Sequence, residues 1–236
     1  MTITADLEQA YQFCQDIAQS HYENFPVASV LLPKRLRRPI SVIYAFARTA
    51  DDYADEGELT SQQRINLLDN YSQLLRDITS GCYNGDNLIF IALSDVIQQH
   101  SLPEQLFEDL LSAFRQDVRK SRYQNFDEVL DYCTRSANPV GRLLLHLEGC
   151  ATEEQLKQSD AICTALQLIN FYQDISQDIN ESDRIYIPTE ELKQFNISEQ
   201  QLTNVDSDST VLSPLLRRQH QRAQQLMIDG YQLGSH

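Results

Sequence analysis

Apolar residues recur every three to four positions along nearly the whole chain, and strand-type alternation never runs to a useful length. The spacing predicts helices over 6–20, 39–56, 61–79, 87–100, 103–120, 126–148, 153–180 and 213–229. Pro39 and Pro103 stand where a first helical turn tolerates proline. "GCYNGDN" reads as a turn and "VDSDSTVLSP" as a polar loop. Neither an internal repeat nor a domain linker interrupts the pattern. The expectation is one all-α domain over residues 1–236.

Composition agrees with that class. Seven glycines and seven prolines are few for 236 residues, and 42% hydrophobic content supports a substantial core. A formal charge of −15 argues against general nucleic-acid binding, which needs phosphate-neutralising cations. The same charge leaves room for a divalent metal bridging carboxylates to a phosphate. The five cysteines are widely spaced, with no C-x-x-C pair, and no secretory signal opens the chain. These features predict reduced thiols and a cytoplasmic location. The strongly apolar stretches, such as "LIFIAL", are too short to span a bilayer, so membrane association would be peripheral.

Two segments place acids where apolar residues surround them. In "YAFARTADDYADE", Tyr44, Arg48, Asp51 and Asp55 share one narrow helical stripe, with Asp52 beside it. In "QLINFYQDISQDINESDRIYIP", Gln167, Asn170, Asp174 and Asp178 stand at i, i+3, i+7 and i+11 on a helix otherwise made of Leu166, Leu168, Ile169, Tyr172 and Ile175. Such stripes suit a cavity inside a bundle, where carboxylates must be neutralised, protonated or metal-bound. Each alone is also what exposed acid at a helix end looks like. Together in one all-α chain they point to Mg²⁺, which accepts one or two carboxylates and completes its shell with substrate phosphate. Arg48 could hold diphosphate oxygens directly. Glu56 and Glu58 read as solvated neighbours.

These motifs resemble the squalene/phytoene synthases, whose first and second aspartate-rich motifs are similar to the two quoted segments. "DYCTRSANPVGRLLLH" is similar to the family's cavity-lining helix, and the resemblance runs from about His21 to the C-terminus. "HYENFPVASVLLPKRLRRPISVIYAFARTADD" and "SANPVGRLLLHLEG" lean toward the hydroxysqualene synthase branch of bacterial squalene and hopanoid pathways. The resemblance implies an isoprenoid-synthase-type bundle around a central cavity. It also implies Mg²⁺-assisted loss of diphosphate from presqualene diphosphate, with water capture giving hydroxysqualene. Mg²⁺ would enter through the substrate diphosphate, and no NADPH is expected; no G-x-G-x-x-G appears. The implied partners are the isoprenoid diphosphate and the neighbouring squalene-pathway enzymes.

Carried over by residue, Asp51, Asp52 and Asp55 form a first metal-binding set, and Asn170, Asp174 and Asp178 a second. Arg48 and Asn170 would contact substrate. Tyr44 and Tyr132 would face the reacting centre, where a π-face stabilises carbocation character. Gln167 matches a polar cavity residue and Phe25 an aromatic capping the cavity. Gln173 departs from the arginine many relatives carry there. Family members continue some dozens of residues past "DGYQLGSH", so the expected bundle lacks its last helix or helices.

Two other chemistries remain open on these residues. Head-to-head coupling of farnesyl or geranylgeranyl diphosphate uses the same metal clamp, and a non-catalytic helical binding protein could retain the fold. The run Lys34, Arg35, Arg37 and Arg38 reads first as a solvated basic turn, second as a contact with diphosphate or an anionic membrane surface. Arg135, Arg142 and Arg184 read as ordinary ion-pairing residues.

Overall fold

A computed structural model describes residues 2–20, 32–203 and 209–235. Among them no strand occurs, and the isolated parallel bridge Arg122–Ile185 is the β-type pairing present. The all-α class read from the periodicity holds.

The chain forms two compact units, Met1–Val118 with His146–Cys150, and Arg119–Leu145 with Ala151–His236. The first contains α1 (Thr2–Ser20), α2 (Lys34–Asp55), α3 (Ser61–Thr79), α4 (Leu88–His100) and α5 (Glu104–Asp117). Their starts follow local chemistry. Thr60 and Gln63 form a capping box for α3, and the Asn87 side chain accepts from the Ile89 and Phe90 N–H groups at the head of α4. Pro33 is the N-cap of α2, so the helix begins five residues before the predicted start and Pro39 lies inside it. Phe46 on α2 is fully buried, 5.0 Å from the Tyr71 ring and 5.3 Å from that of Phe107. Such pairs add about 0.5–1.5 kcal/mol each beyond area burial. They set which face of α2 is buried, and thereby where the stripe carrying Arg48 lies.

The second unit holds α6 (Phe126–Ser136), most of α7 (Asn138–Glu148), α8 (Glu153–Gln173), α9 (Ile175–Ser182), α10 (Thr189–Gln194), α11 (Glu199–Leu202) and α12 (Ser209–Asp229), then a 3-10 turn, Tyr231–Ser235. The single helix predicted over 126–148 is two, broken at Ala137. Pro139 accounts for the break: it offers no N–H, and its ring would meet the carbonyl four residues back. The helix predicted over 153–180 also divides, at Asp174 (φ −102°, ψ 14°). Ile175, Ile185, Ile187, Leu192, Leu202, Leu212 and Leu215 form a buried cluster in this unit, joining α9 to α10, α11 and α12.

Candidate active site

In the first unit, α2 places Tyr44, Arg48 and Asp51 on a recess of about 230 Å³, completed by Ala47 and Phe114. Arg48 is the hub. Its guanidinium stands 3.2 Å from Asp51 Oδ2 and 2.7 Å from Asp52 Oδ1, and it also ion-pairs with Glu56. The i+3 and i+4 spacing read from the sequence produces the first two contacts. Glu56 and Glu58 are both exposed, as expected of solvated neighbours, and Glu56 in addition joins the Arg48 charge cluster. Asp55 is exposed at the last turn. Burial raises the Tyr44 phenol above its ordinary value; Arg48 opposes the shift, while Asp52 and Asp51 add to it. Tyr44 is therefore a neutral hydroxyl at physiological pH. Phe114, on α5, was not picked out by motif reading, because an apolar helix residue carries no local mark of lining a recess.

In the second unit, α8 and α9 carry the other acidic set. Asn170 Nδ2 donates to Asp174 Oδ2 at 2.9 Å, and the Asp178 N–H donates to the Asp174 carbonyl at 2.8 Å. Asp174 is thus held from both sides at the helix break. Gln167 is half-buried and Asn170 exposed, but Leu166, expected on an apolar flank, is 54% exposed. Tyr132 is buried in an aromatic cluster, with ring centroids 5.9 Å from Tyr123, 6.1 Å from Phe171 and 5.7 Å from Tyr186. Phe171 and Tyr186 stack at 3.6 Å. Phe25 lies outside the described residues.

Three cations of the basic run are engaged locally. Arg35 pairs with Glu148; Arg38 pairs with Glu8 and covers the Tyr11 ring at 4.9 Å; Arg37 Nε donates to the Leu32 carbonyl at 3.0 Å. Arg135 pairs with Asp131 and Arg142 with Asp160, as ordinary ion pairing predicts.

Residues 18–236 match the family model described as squalene/phytoene synthase. The chain belongs to the squalene/phytoene synthase family. A hydroxysqualene synthase of Zymomonas mobilis is 38% identical over 170 residues, covering 71% of this chain and 55% of the relative. A 15-cis-phytoene synthase of Synechocystis is 32% identical over 216 residues, covering 86% of this chain and 63% of the relative. The crystal structure of the squalene synthase HpnC from Alicyclobacillus acidocaldarius superposes with a TM-score of 0.88 at 36% identity, covering 98% of this chain and 85% of that one. The match therefore spans about 55 to 63% of the length of these two curated relatives.

The donor chemistry fits the metal this family suggests. Among the described residues no three His, Cys, Asp or Glu side chains cluster closely enough to cage an ion unaided. Mg²⁺ does not require such a cage, since one or two carboxylates plus substrate phosphate oxygens suffice. Asp51 and Asp52, 40% and 35% exposed, are open to an approaching phosphate-bound ion. No helix among the described residues is long and apolar enough to cross a membrane.

Proposed function

We propose that the chain converts presqualene diphosphate to hydroxysqualene, with Mg²⁺-dependent release of diphosphate. The observation carrying this reading is the Arg48–Asp51–Asp52 cluster on the Tyr44 recess, in a chain related to hydroxysqualene synthases and bearing a second acidic set at Asn170, Asp174 and Asp178.

In this reading the substrate's C–O bond breaks and its electron pair leaves with the diphosphate. The cyclopropylcarbinyl cation rearranges, water adds to it, and loss of a proton leaves the alcohol. Heterolysis and hydration balance without a reductant, so this reading calls for no NADPH. Mg²⁺, when bound, would supply Lewis-acid stabilisation of the leaving diphosphate. Asp51, Asp52 and Asp55 are one set that would hold Mg²⁺, and Asn170, Asp174 and Asp178 are the second. Arg48 exchanges its carboxylate partners for diphosphate oxygens, a swap open to a guanidinium whose contacts are partly exposed. Tyr44 and Tyr132 offer π-faces to positive charge on carbon. Gln167 orients substrate or water. The chain would act in the cytoplasm, between the enzymes that make presqualene diphosphate and those that consume hydroxysqualene. Membrane contact through Lys34 and its neighbours would be peripheral.

A second reading, coupling of two farnesyl diphosphates, is supported by the phytoene synthase relative. Product analysis separates the two. Presqualene diphosphate with Mg²⁺ should give hydroxysqualene and diphosphate, and farnesyl diphosphate alone should give nothing. Presqualene diphosphate accumulating from farnesyl diphosphate would establish coupling instead. Diphosphate release from neither substrate would favour a non-catalytic helical binding protein.

A further inference from the structure

A polar network lies buried where α8, α10 and α12 meet. Glu191 on α10 is 1% exposed and Gln219 on α12 is fully buried. Glu191 Oε1 is 2.5 Å from Arg222 Nη2 and 3.5 Å from Arg218 Nε, and Gln219 Nε2 donates to Glu191 Oε2. Arg222 also lies over the Phe126 ring at 3.9 Å. A carboxylate this deep needs such partners, because a buried charge without them is expensive. Two arginines and an amide meet that need.

The network nevertheless extends one residue further. The Tyr172 hydroxyl donates to Gln219 Oε1 at 3.1 Å. Tyr172 stands between Asn170 and Asp174, two residues before the break where α8 gives way to α9.

We propose that Tyr172 is a positioning residue: its hydroxyl, anchored by Gln219 and Glu191, fixes the end of α8 and so holds Asn170 and Asp174 in the geometry that binds a metal–diphosphate. This rests on the reading that those two residues serve that purpose.

Tyr172→Phe removes only the hydroxyl, and Gln219 Oε1 keeps Arg222 Nη1 as a donor at 3.3 Å. Gln219→Met cuts the link from the other side. Binding of Mn²⁺ in the presence of inorganic diphosphate, read by electron paramagnetic resonance, is the test, with melting temperature recorded alongside. Both variants should weaken Mn²⁺ binding about tenfold, in the manner of lost supporting hydrogen bonds around metal ligands. Half-saturating Mg²⁺ for turnover should rise in parallel, while kcat at saturating Mg²⁺ holds. Leu143→Val, a cavity on α7 of the same unit and outside the cluster around Ile175, should lower the melting temperature and leave Mn²⁺ affinity unchanged. Wild-type affinity in both hydroxyl-link variants would overturn the inference alone. Loss of helical circular dichroism in both would make the network structural and overturn it too. If the wild-type protein shows no diphosphate-dependent Mn²⁺ binding, the metal reading itself falls and takes the inference with it.

Discussion

Arg48 Nη2 stands 2.7 Å from Asp52 Oδ1, one helical turn away on α2, and the same guanidinium spans Asp51 and Glu56. A guanidinium shared among three acids relieves their mutual repulsion and preserves a positive group beside the recess. With the carboxylates 35% to 64% exposed, each pair contributes no more than about 0.5 kcal/mol. Arg48→Met should therefore lower folding free energy by about 1 kcal/mol in chemical denaturation. Loss of charge-assisted contacts to diphosphate, worth about 1.5–3 kcal/mol, should slow diphosphate release about 100-fold. A variant as active as wild type would remove Arg48 from the site.

Gly141 on α7 faces Ser159 and Cys163 on α8, and a Cβ built there would overlap Ser159 Oγ and Cys163 Sγ. The glycine lets the two helices approach. Gly141→Ala should destabilise the protein by about 1–3 kcal/mol through overpacking. Gly141→Ala combined with Ser159→Ala should recover part of that loss, measured by urea unfolding.

Glu128 accepts from Lys120 Nζ at 2.8 Å and from the Gln124 N–H at 2.8 Å. The lysine contact first, then the backbone N–H, hold its carboxyl below the ordinary value of 4.5. The unfolded chain then binds this proton more readily than the folded one. The contribution to stability is complete above about pH 4.5 and disappears as pH falls through the lowered folded value. Glu128 is 34% exposed, so the contribution is at most about 1 kcal/mol. Glu128→Gln should flatten the acid limb of the stability–pH profile by that amount.

The five thiols are free, and their reactivity should follow burial. Burial pushes Cys14 and Cys133 up to about 12, leaving negligible thiolate at neutral pH. Cys82 is exposed. A disulfide reagent added to native protein should modify Cys82 first, and Cys14 and Cys133 only on the timescale of unfolding, as peptide mapping of the labelled chain would show. Early labelling of Cys14 would contradict the packing around it.

Periodicity revealed the class and most helix positions, because core-facing residues repeat at the helical spacing. It missed the breaks at Ala137 and Asp174, since apolar periodicity continues through both. Pro139 marked the first break in the sequence; the second arises at a residue whose local pattern looks helical. The Arg48 contacts to Asp51 and Asp52 follow from i+3 and i+4 spacing. Glu56, two turns away, needed the reach of an actual guanidinium. Glu191 was illegible for another reason: "PTEEL" resembles an exposed acidic helix start, and its burial depends on Arg218, Gln219 and Arg222 some thirty residues later.

Diphosphate release from presqualene diphosphate, followed with and without Mg²⁺ in wild type, Asp51→Asn and Asp174→Asn, tests the central claim most directly. The account predicts release with hydroxysqualene as the carbon product, abolished by chelation. Loss of several kcal/mol of charge stabilisation should slow either variant by about 100-fold or more while helical circular dichroism is retained. Release that survives chelation or both substitutions, or no release by wild type with Mg²⁺, would contradict it.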